Sequence, residues 1–206
     1  MSRAARVSVL LLLSALATGC GRLPANRYYV VQVQPPVEAE RGDGLAIGVA
    51  AFHVDPPYDQ DRIVYRLGAS SPQVAFYPYD RWAAPLSRML PAAVAAGLQG
   101  LKGVVTVEPI VPGRDHDARI HGRLVTLEEV DVADGPRVRL EITLELLARD
   151  GEGVWSVTLQ GQEAVAATEV EEIVDAMNRL LAAELGRVRP GLEEAIATLR
   201  TGRATD

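Results

Sequence analysis

The most regular pattern in the chain lies between Arg137 and Leu146, where polar and apolar residues alternate without a break. A period of two predicts a β-strand with one face on the core and the other face in water. A second long strand is predicted over Ala118 to Val132. The turn sequence Asp150-Gly-Glu-Gly153 leads into a further predicted strand, Val154 to Ala167, so this strand and the one at Arg137 form an antiparallel hairpin.

Two segments show a period of three to four residues, which predicts helices that each bury one apolar stripe. The first runs to Leu98 after Pro85, and we expect Pro91 to kink it. The second begins after a capping box formed by Thr168 and Glu171, and we expect Pro190-Gly191 to interrupt it before a short helix that ends at Leu199. The buried stripes consist of Leu86, Met89, Leu90, Ala93, Val94, Gly97 and Leu98 in the first helix, and Ile173, Val174, Met177, Leu180, Leu181 and Leu185 in the second.

Shorter runs of β-branched and aromatic residues predict further strands. The separator Gly68-Ala-Ser-Ser-Pro72 is a turn by composition, so the two strands beside it form a hairpin. Strands dominate, which predicts an α+β fold: a mixed, largely antiparallel sheet with a central and a C-terminal helix packed on one face. The shorter predicted strands cover Tyr28 to Gln34, Leu45 to Val54, Ile63 to Leu67, Val74 to Tyr79 and Val104 to Val107.

The chain begins with a pattern that is typical of an export signal. Arg3 and Arg6 precede a leucine-rich run, Val7 to Leu16, that is too short to cross a bilayer, and small residues then lead to Cys20. The sequence around Cys20 resembles a lipobox, which predicts a lipid-bearing thiol, although Ala15-Leu16-Ala17 also fits an ordinary cleavage site. Cys20 is the single cysteine and cannot form an internal disulfide, which favours its role as an anchor.

These patterns predict four parts of the chain. Residues 1–19 are a lipoprotein signal peptide, residues 20–27 the lipidated N-terminus and tether, residues 28–200 a single α+β domain, and residues 201–206 a disordered tail. Gly21 is not the aspartate that retains lipoproteins at an inner membrane, which favours a lipid-anchored protein on the outer membrane, facing the periplasm.

The acidic balance of the chain restricts its partners. The formal net charge is −6, and removal of Arg3 and Arg6 leaves 19 basic against 27 acidic residues, or −8. The acidic balance does not indicate the basic surface that binds nucleic acid, and anionic lipid surfaces repel such a domain. We therefore expect membrane contact only through the acyl anchor.

Groups typical of catalytic or metal sites are sparse. On a strand, His116 and His121 would point to opposite faces, unless His116 lies in the loop before it. His53 lies in an acidic loop without a third convergent ligand. The paired carboxylates Glu128-Glu129 and Glu171-Glu172 fit solvated faces. Motifs for nucleophiles, phosphate loops and dinucleotides are absent from the sequence. We therefore expect no enzymatic activity, no metal and no cofactor.

Aromatic residues make up only 5% of the chain, yet they concentrate between residues 65 and 82 together with arginines. Tyrosine, tryptophan and arginine carry much of the energy at protein interfaces, so the cluster predicts a partner-binding surface. The same side chains could instead staple the hairpin to the central helix, and the two roles are compatible. The candidate partner-binding residues are Tyr65, Arg66, Tyr77, Tyr79, Arg81, Trp82 and Pro85.

The segment RIVYRLGASSPQVAFYPYDRWAAPLSRML resembles the core of the ABC-type transport auxiliary lipoproteins, a family that includes PqiC-like intermembrane transport lipoproteins. That family shows an I-x-Y-R strand, a turn, a tyrosine-rich strand and W-A-x-P-L at the start of a helix. Asp80 departs from the pattern, because other polar residues are usual there. The matching residues are Ile63, Tyr65, Arg66, Tyr77, Tyr79, Trp82, Ala83, Pro85 and Leu86.

The resemblance implies a non-catalytic outer-membrane subunit of an envelope system that moves lipids or other hydrophobic molecules between the inner and outer membranes. The partners it implies are an MCE-domain periplasmic protein and, through it, an ABC permease and ATPase. A homo-oligomer is compatible with such a ring-shaped assembly. The alternative is an envelope scaffold or assembly lipoprotein that binds a periplasmic protein without a transport role. A secreted hydrolase would need a convergent catalytic set, which the sequence does not offer.

Overall fold

The structure, a computed structural model, describes residues 24–36, 44–166 and 168–203. The predicted signal peptide and Cys20 lie outside the described residues. The described part contains nine strands and two helices. The strands are β1 (Arg27–Tyr29), β2 (Leu45–Val49), β3 (His53–Val54), β4 (Arg62–Arg66), β5 (Val74–Trp82), β6 (Val104–Pro109), β7 (Ala118–Val132), β8 (Gly135–Ala148) and β9 (Gly153–Ala164), and the helices are α1 (Leu86–Gly97) and α2 (Val170–Arg203).

The three longest strands form an antiparallel core for the sheet. β7 pairs with β8 from Ala118 opposite Ala148 to Val132 opposite Gly135, and β8 pairs with β9 on its other side. The predicted alternation in β8 is confirmed, because its apolar face is buried and α2 packs against the strand. The buried side chains of that face are Val138, Leu140, Ile142, Leu144 and Leu146.

The other edge of β7 holds three short strands one after another. β2, β3 and β4 all run parallel to β7, and they pair respectively near its start, its middle and its end. β6 extends the sheet beside β2, while β5 and then β1 extend it beside β4. The predicted β4–β5 hairpin is confirmed. The sheet is branched because β7 is long enough to pair with several short strands along one edge.

The predicted strand Leu45 to Val54 is in fact two strands, β2 and β3, separated by residues 50–52. The break places the Phe52 ring on Gly122 of β7, where any Cβ at position 122 would lie 2.2 Å from the ring. A side chain at Gly122 would therefore displace Phe52 from the core. Sequence periodicity does not reveal this break, since both halves remain apolar.

Helix α1 is continuous through Pro91, which is buried in its middle. A proline cannot donate to the carbonyl four residues earlier, here that of Ser87. In this fold the backbone N–H of Phe52 donates to that oxygen at 3.2 Å. The link between β2 and β3 therefore supplies the hydrogen bond that Pro91 removes.

The prediction that Pro190-Gly191 interrupts the C-terminal helix is wrong, since α2 is one helix from Val170 to Arg203. Thr201–Arg203, assigned to the tail by the sequence analysis, are helical as well. Pro190 is exposed, so its ring does not disturb the core. Leu185 and Leu192 on either side of it are fully buried. Burial of an apolar stripe along both halves outweighs the cost of about 3 kcal/mol for one internal proline.

The predicted fold class, α+β with a mixed, largely antiparallel sheet and two helices, is confirmed. α1 packs against β2, β3 and β6, α2 packs against β8 and β9, and the two helices contact each other. Within residues 24–36, 44–166 and 168–203, neither helix combines the length and apolarity that crossing a membrane requires.

Candidate functional site

The β4–β5 hairpin and the start of α1 carry all seven candidate partner-binding residues. β4 lies between β5 and the last third of β7, with Tyr65 beside Glu129 and Arg66 beside Val130. Neighbouring residues of a strand point to opposite faces, so the hairpin presents one set of side chains to each side of the sheet. The structure therefore splits the predicted cluster into parts with different surroundings.

On one face, Tyr65 and Tyr77 form a pair whose ring centroids are 4.9 Å apart at an interplanar angle of 48°. The Tyr77 hydroxyl donates a hydrogen bond to Glu129. Burial, reinforced by the Glu129 carboxylate, raises the pKa of Tyr77 above its ordinary value. Both tyrosines remain half-buried, so one edge of the pair lies at the surface.

On the other face, Arg66 takes part in a buried ion cluster around Glu128. The Arg66 Nε donates to Glu128 at 3.1 Å, and the Tyr58 hydroxyl donates to the same carboxylate at 2.8 Å. Arg139 donates a further hydrogen bond to it. Burial alone would raise the pKa of Glu128, but the hydrogen bonds from the two arginines and the tyrosine outweigh it and hold that pKa below its ordinary value. Burial together with the adjacent carboxylate raises the pKa of Tyr58 to about 12.

The prediction that Glu128-Glu129 faces solvent is wrong. Glu128 is 0% exposed and Glu129 is 4% exposed. Partners from other segments surround them, namely Tyr58, Arg66 and Tyr77. Their position inside a strand, between the apolar Leu127 and Val130, was the available sequence signal for burial.

Trp82 belongs to the hydrophobic core and is 3% exposed. Its neighbour Asp80 is equally buried and joins β1 to β5: Arg27 lies 2.7 Å from its carboxylate, and the Tyr29 hydroxyl donates to it at 3.1 Å. Asp80, which departs from the family pattern in the sequence, therefore fixes the first strand to the hairpin. Trp82 is therefore a core side chain and not part of the accessible surface.

The remaining three candidates lie closer to the surface. Arg81 reaches Asp61 at 2.8 Å, and Tyr79 is half-buried. Pro85 is exposed and occupies the position before the first turn of α1. Together with the tyrosine pair, these side chains form the accessible part of the cluster, which we call the hairpin surface (Tyr65, Tyr77, Tyr79, Arg81 and Pro85).

The histidines occupy separate environments. His116 is buried before β7 and lies 3.2 Å from Glu108, while His121 is exposed on β7. His53 is exposed and contacts Asp55, which also binds Arg123. Among the described residues, no three His, Cys, Asp or Glu side chains converge as metal ligands would.

Several polar residues that organise the site are not apparent from the sequence. Each of them binds a residue more than fifty positions away; they are Glu128, Glu129, Asp80 and Tyr58. A carboxylate inside an apolar strand indicates that a partner exists, but only the strand order identifies Arg66 or Tyr77 as that partner. Asn178 of α2 was also missed, and it holds the segment after β1.

Comparison with known proteins places this architecture among described families. A family model, the ABC-type transport auxiliary lipoprotein component, matches residues 29–188. The matched range includes the hairpin surface and both buried glutamates. No curated protein is significantly similar to the chain.

Two crystal structures share the fold. One is protein XCC0632 from Xanthomonas campestris, of family DUF330, with a TM-score of 0.64 and 19% identity over 88% of this chain and 98% of that protein. The other is an uncharacterized protein with a TM-score of 0.66 and 17% identity over 82% of this chain and 99% of that one. At these identities the similarity extends to the fold alone.

Proposed function

Because the chain belongs to the family of ABC-type transport auxiliary lipoprotein components, we propose that it is a non-catalytic, lipid-anchored subunit of an envelope transport machine. In this role Cys20 anchors the domain to the outer membrane and the domain faces the periplasm. The machine consists of an MCE-domain protein with an ABC permease and ATPase, and it moves lipids or other hydrophobic molecules. The match over residues 29–188 is the observation that carries the proposal.

The properties of the anchor support a docking role. A mature chain with several acyl groups stays on its membrane, whereas one acyl chain holds only marginally. Attachment to a surface raises the effective concentration of the domain for a partner nearby without any new contact. The acidic balance of the chain keeps the domain from lying flat on anionic lipid.

The hairpin surface is the proposed contact for the partner. Tyr79 and Arg81 are half-buried side chains at the surface, of the types that most often carry interface energy. Arg66 and Trp82, although part of the predicted cluster, would contribute by holding the hairpin in place, because Glu128 engages one and the core encloses the other. Substitutions at Tyr79 and Arg81 therefore test binding with less effect on folding.

The experiment is a crosslinked co-purification of the full-length, lipidated protein from its native membranes, with partners identified by mass spectrometry. We expect an MCE-domain protein in the eluate, and we expect Tyr79→Ala combined with Arg81→Ala to reduce its recovery at least fivefold. Arg119→Ala is the matched control, since Arg119 is exposed on the sheet and, in the part of the chain that the structure describes, forms no ion pair.

Equal recovery with the double variant and the control would reject the hairpin surface as the contact. Recovery of cell-wall or assembly factors without any MCE-domain or ABC protein would reject the transport role and support the scaffold alternative. Thermal melts of each variant show whether a loss of binding reflects unfolding.

A further inference from the structure

A cleft of about 650 Å³ lies at the end of the molecule where β8 turns into β9. Its walls are this turn, the start of β2 and the last turns of α2. Its apolar lining comes from Leu45, Ala148, Val154 and Leu199. A cleft of this size is large enough to take one or two side chains of another molecule.

The cleft is far from the point where the N-terminal segment leaves the domain. β1 runs antiparallel to β7, so the chain before Arg27 leaves toward the end of β7 at Val132. The cleft adjoins the other end, at Ala118. β1 pairs with Asp80–Trp82 of β5, level with Arg62 of β4, which lies three residues before Tyr65 and its neighbour Glu129. The stretch of β7 from Ala118 to this level is about 27 Å long at 3.4 Å per residue.

The tether is too short to reverse this orientation. The residues from Cys20 to Asn26 span at most about 25 Å when fully extended. A domain anchored at Cys20 therefore holds the β1 end toward the membrane and the cleft toward the periplasm. A partner that approaches from the opposite membrane meets the cleft first.

The charges at the rim favour a cationic partner. Arg149 is the basic side chain of the lining, and Asp115 lies 3.1 Å from it. The lining also contains Asp150 and Glu152. In the described ranges, the Glu152 side chain has no ion-pair partner, so the rim retains negative charge after the pairing of Arg149.

We propose, on the basis of the proposed function, that this distal cleft binds a segment of the periplasmic partner in which an apolar side chain stands beside a lysine or arginine. The apolar side chain enters between Leu45, Val154 and Leu199, and the cationic group meets Glu152 at the rim. An anionic lipid headgroup would meet repulsion from the same carboxylates.

The test uses the full-length lipidated protein and, as the probe, the purified periplasmic domain of the MCE-domain protein recovered with it. Glu152→Lys reverses the rim charge, and Thr198→Trp fills the cleft from an exposed position of α2. Glu145→Lys is the matched control, because Glu145 is an exposed carboxylate on the polar face of β8 without an ion pair among the described residues. We expect each cleft variant to raise Kd at least tenfold and the control to change it less than twofold, with melting temperatures unchanged in all three.

A Kd within twofold of wild type for both cleft variants would overturn the proposal. A benzophenone placed at position 198 adds a second result: it should crosslink to a partner segment that contains a lysine or arginine beside an apolar residue. Crosslinks to residues 37–43 of the same chain, or to a second copy, would overturn it by identifying another occupant. If wild-type protein fails to bind the probe at all, the proposed function fails as well, whereas binding that resists both cleft variants refutes the cleft alone.

Discussion

Glu128 and Glu129 are adjacent in β7, yet their surroundings give them opposite acid–base behaviour. Glu128 has two arginines and a tyrosine as partners, whereas the partner of Glu129 among the described residues is the Tyr77 hydroxyl. Burial raises the pKa of Glu129, the Asp131 carboxylate adds to the rise, and the bond from Tyr77 offsets only part of it. The fold therefore favours the charged form of Glu128 and the protonated form of its neighbour Glu129.

We expect Glu129→Gln to increase the free energy of unfolding at alkaline pH. A carboxyl whose pKa is raised by folding contributes stability below its unfolded pKa and loses that contribution as pH rises through the folded value. Glutamine stays neutral, so the variant should match wild type near pH 4 and exceed it by roughly 1 kcal/mol at pH 8. Urea denaturation across this pH range measures the difference.

Glu128→Gln is the comparison for that experiment, and it has the opposite sign. The pKa of Glu128 is lowered by folding, so its contribution is present above the unfolded pKa and is lost as pH falls through the folded value. Removing the charge leaves Arg66 and Arg139 without their carboxylate, at a cost of about 3 kcal/mol near neutral pH. A stability of Glu129→Gln that stays parallel to wild type at every pH would contradict our account.

Among the elements, the segment after β1 shows that an alternating sequence pattern can occur without a hydrogen-bonded strand. The sequence predicts a strand from Tyr28 to Gln34, and Val31 and Val33 are indeed buried while residues 30, 32 and 34 are exposed. The hydrogen-bonded strand nevertheless ends at Tyr29, because β5 ends at Trp82 opposite it. Beyond that point the Asn178 side chain accepts from the Gln32 N–H at 3.0 Å and donates to the Val30 carbonyl at 3.4 Å.

Asn178→Ala should loosen this segment without unfolding the sheet. The loss of two hydrogen bonds from a partly exposed side chain predicts a cost of about 1 kcal/mol. Hydrogen exchange at the Gln32 amide should accelerate at least tenfold, whereas amides in β8 should be unaffected. Asn178→Asp keeps the acceptor for Gln32 and should exchange more slowly than the alanine variant. Unchanged protection of the Gln32 amide in Asn178→Ala would show that the Asn178 side chain does not hold the segment.

At the scale of the whole molecule, the long β7–β8 pair separates two ends of the domain. The N-terminal segment leaves beside the β4–β5 hairpin, and the distal cleft lies at the β8–β9 turn. Anchoring at one end would leave the distal cleft free for a partner, as the further inference requires, and would place the hairpin surface on the side of the anchor. The covalent anchor alone would then set the orientation.

Cys20→Ala should therefore release the domain from the membrane. Without the thiol no acyl chain can attach, and the acidic domain gains nothing from an anionic surface. Fractionation should move more than 90% of the protein from the membrane pellet to the soluble periplasm, while the melting temperature of the domain stays the same. A variant that remains in the membrane fraction after a high-salt wash would refute the anchor.

The sequence by itself determined the local elements of this protein: the alternation in β8, the stripes of α1 and α2, the turn between β4 and β5, and the family motif on the hairpin. These follow from the near neighbours of each residue, because the periods of strands and helices are local properties. The tertiary structure alone decided that Glu128 and Glu129 are buried, that Leu45 to Val54 breaks in two and that α2 passes through Pro190. Each depends on contacts between residues far apart in the chain, whose combined burial and hydrogen bonding outweigh the local preference.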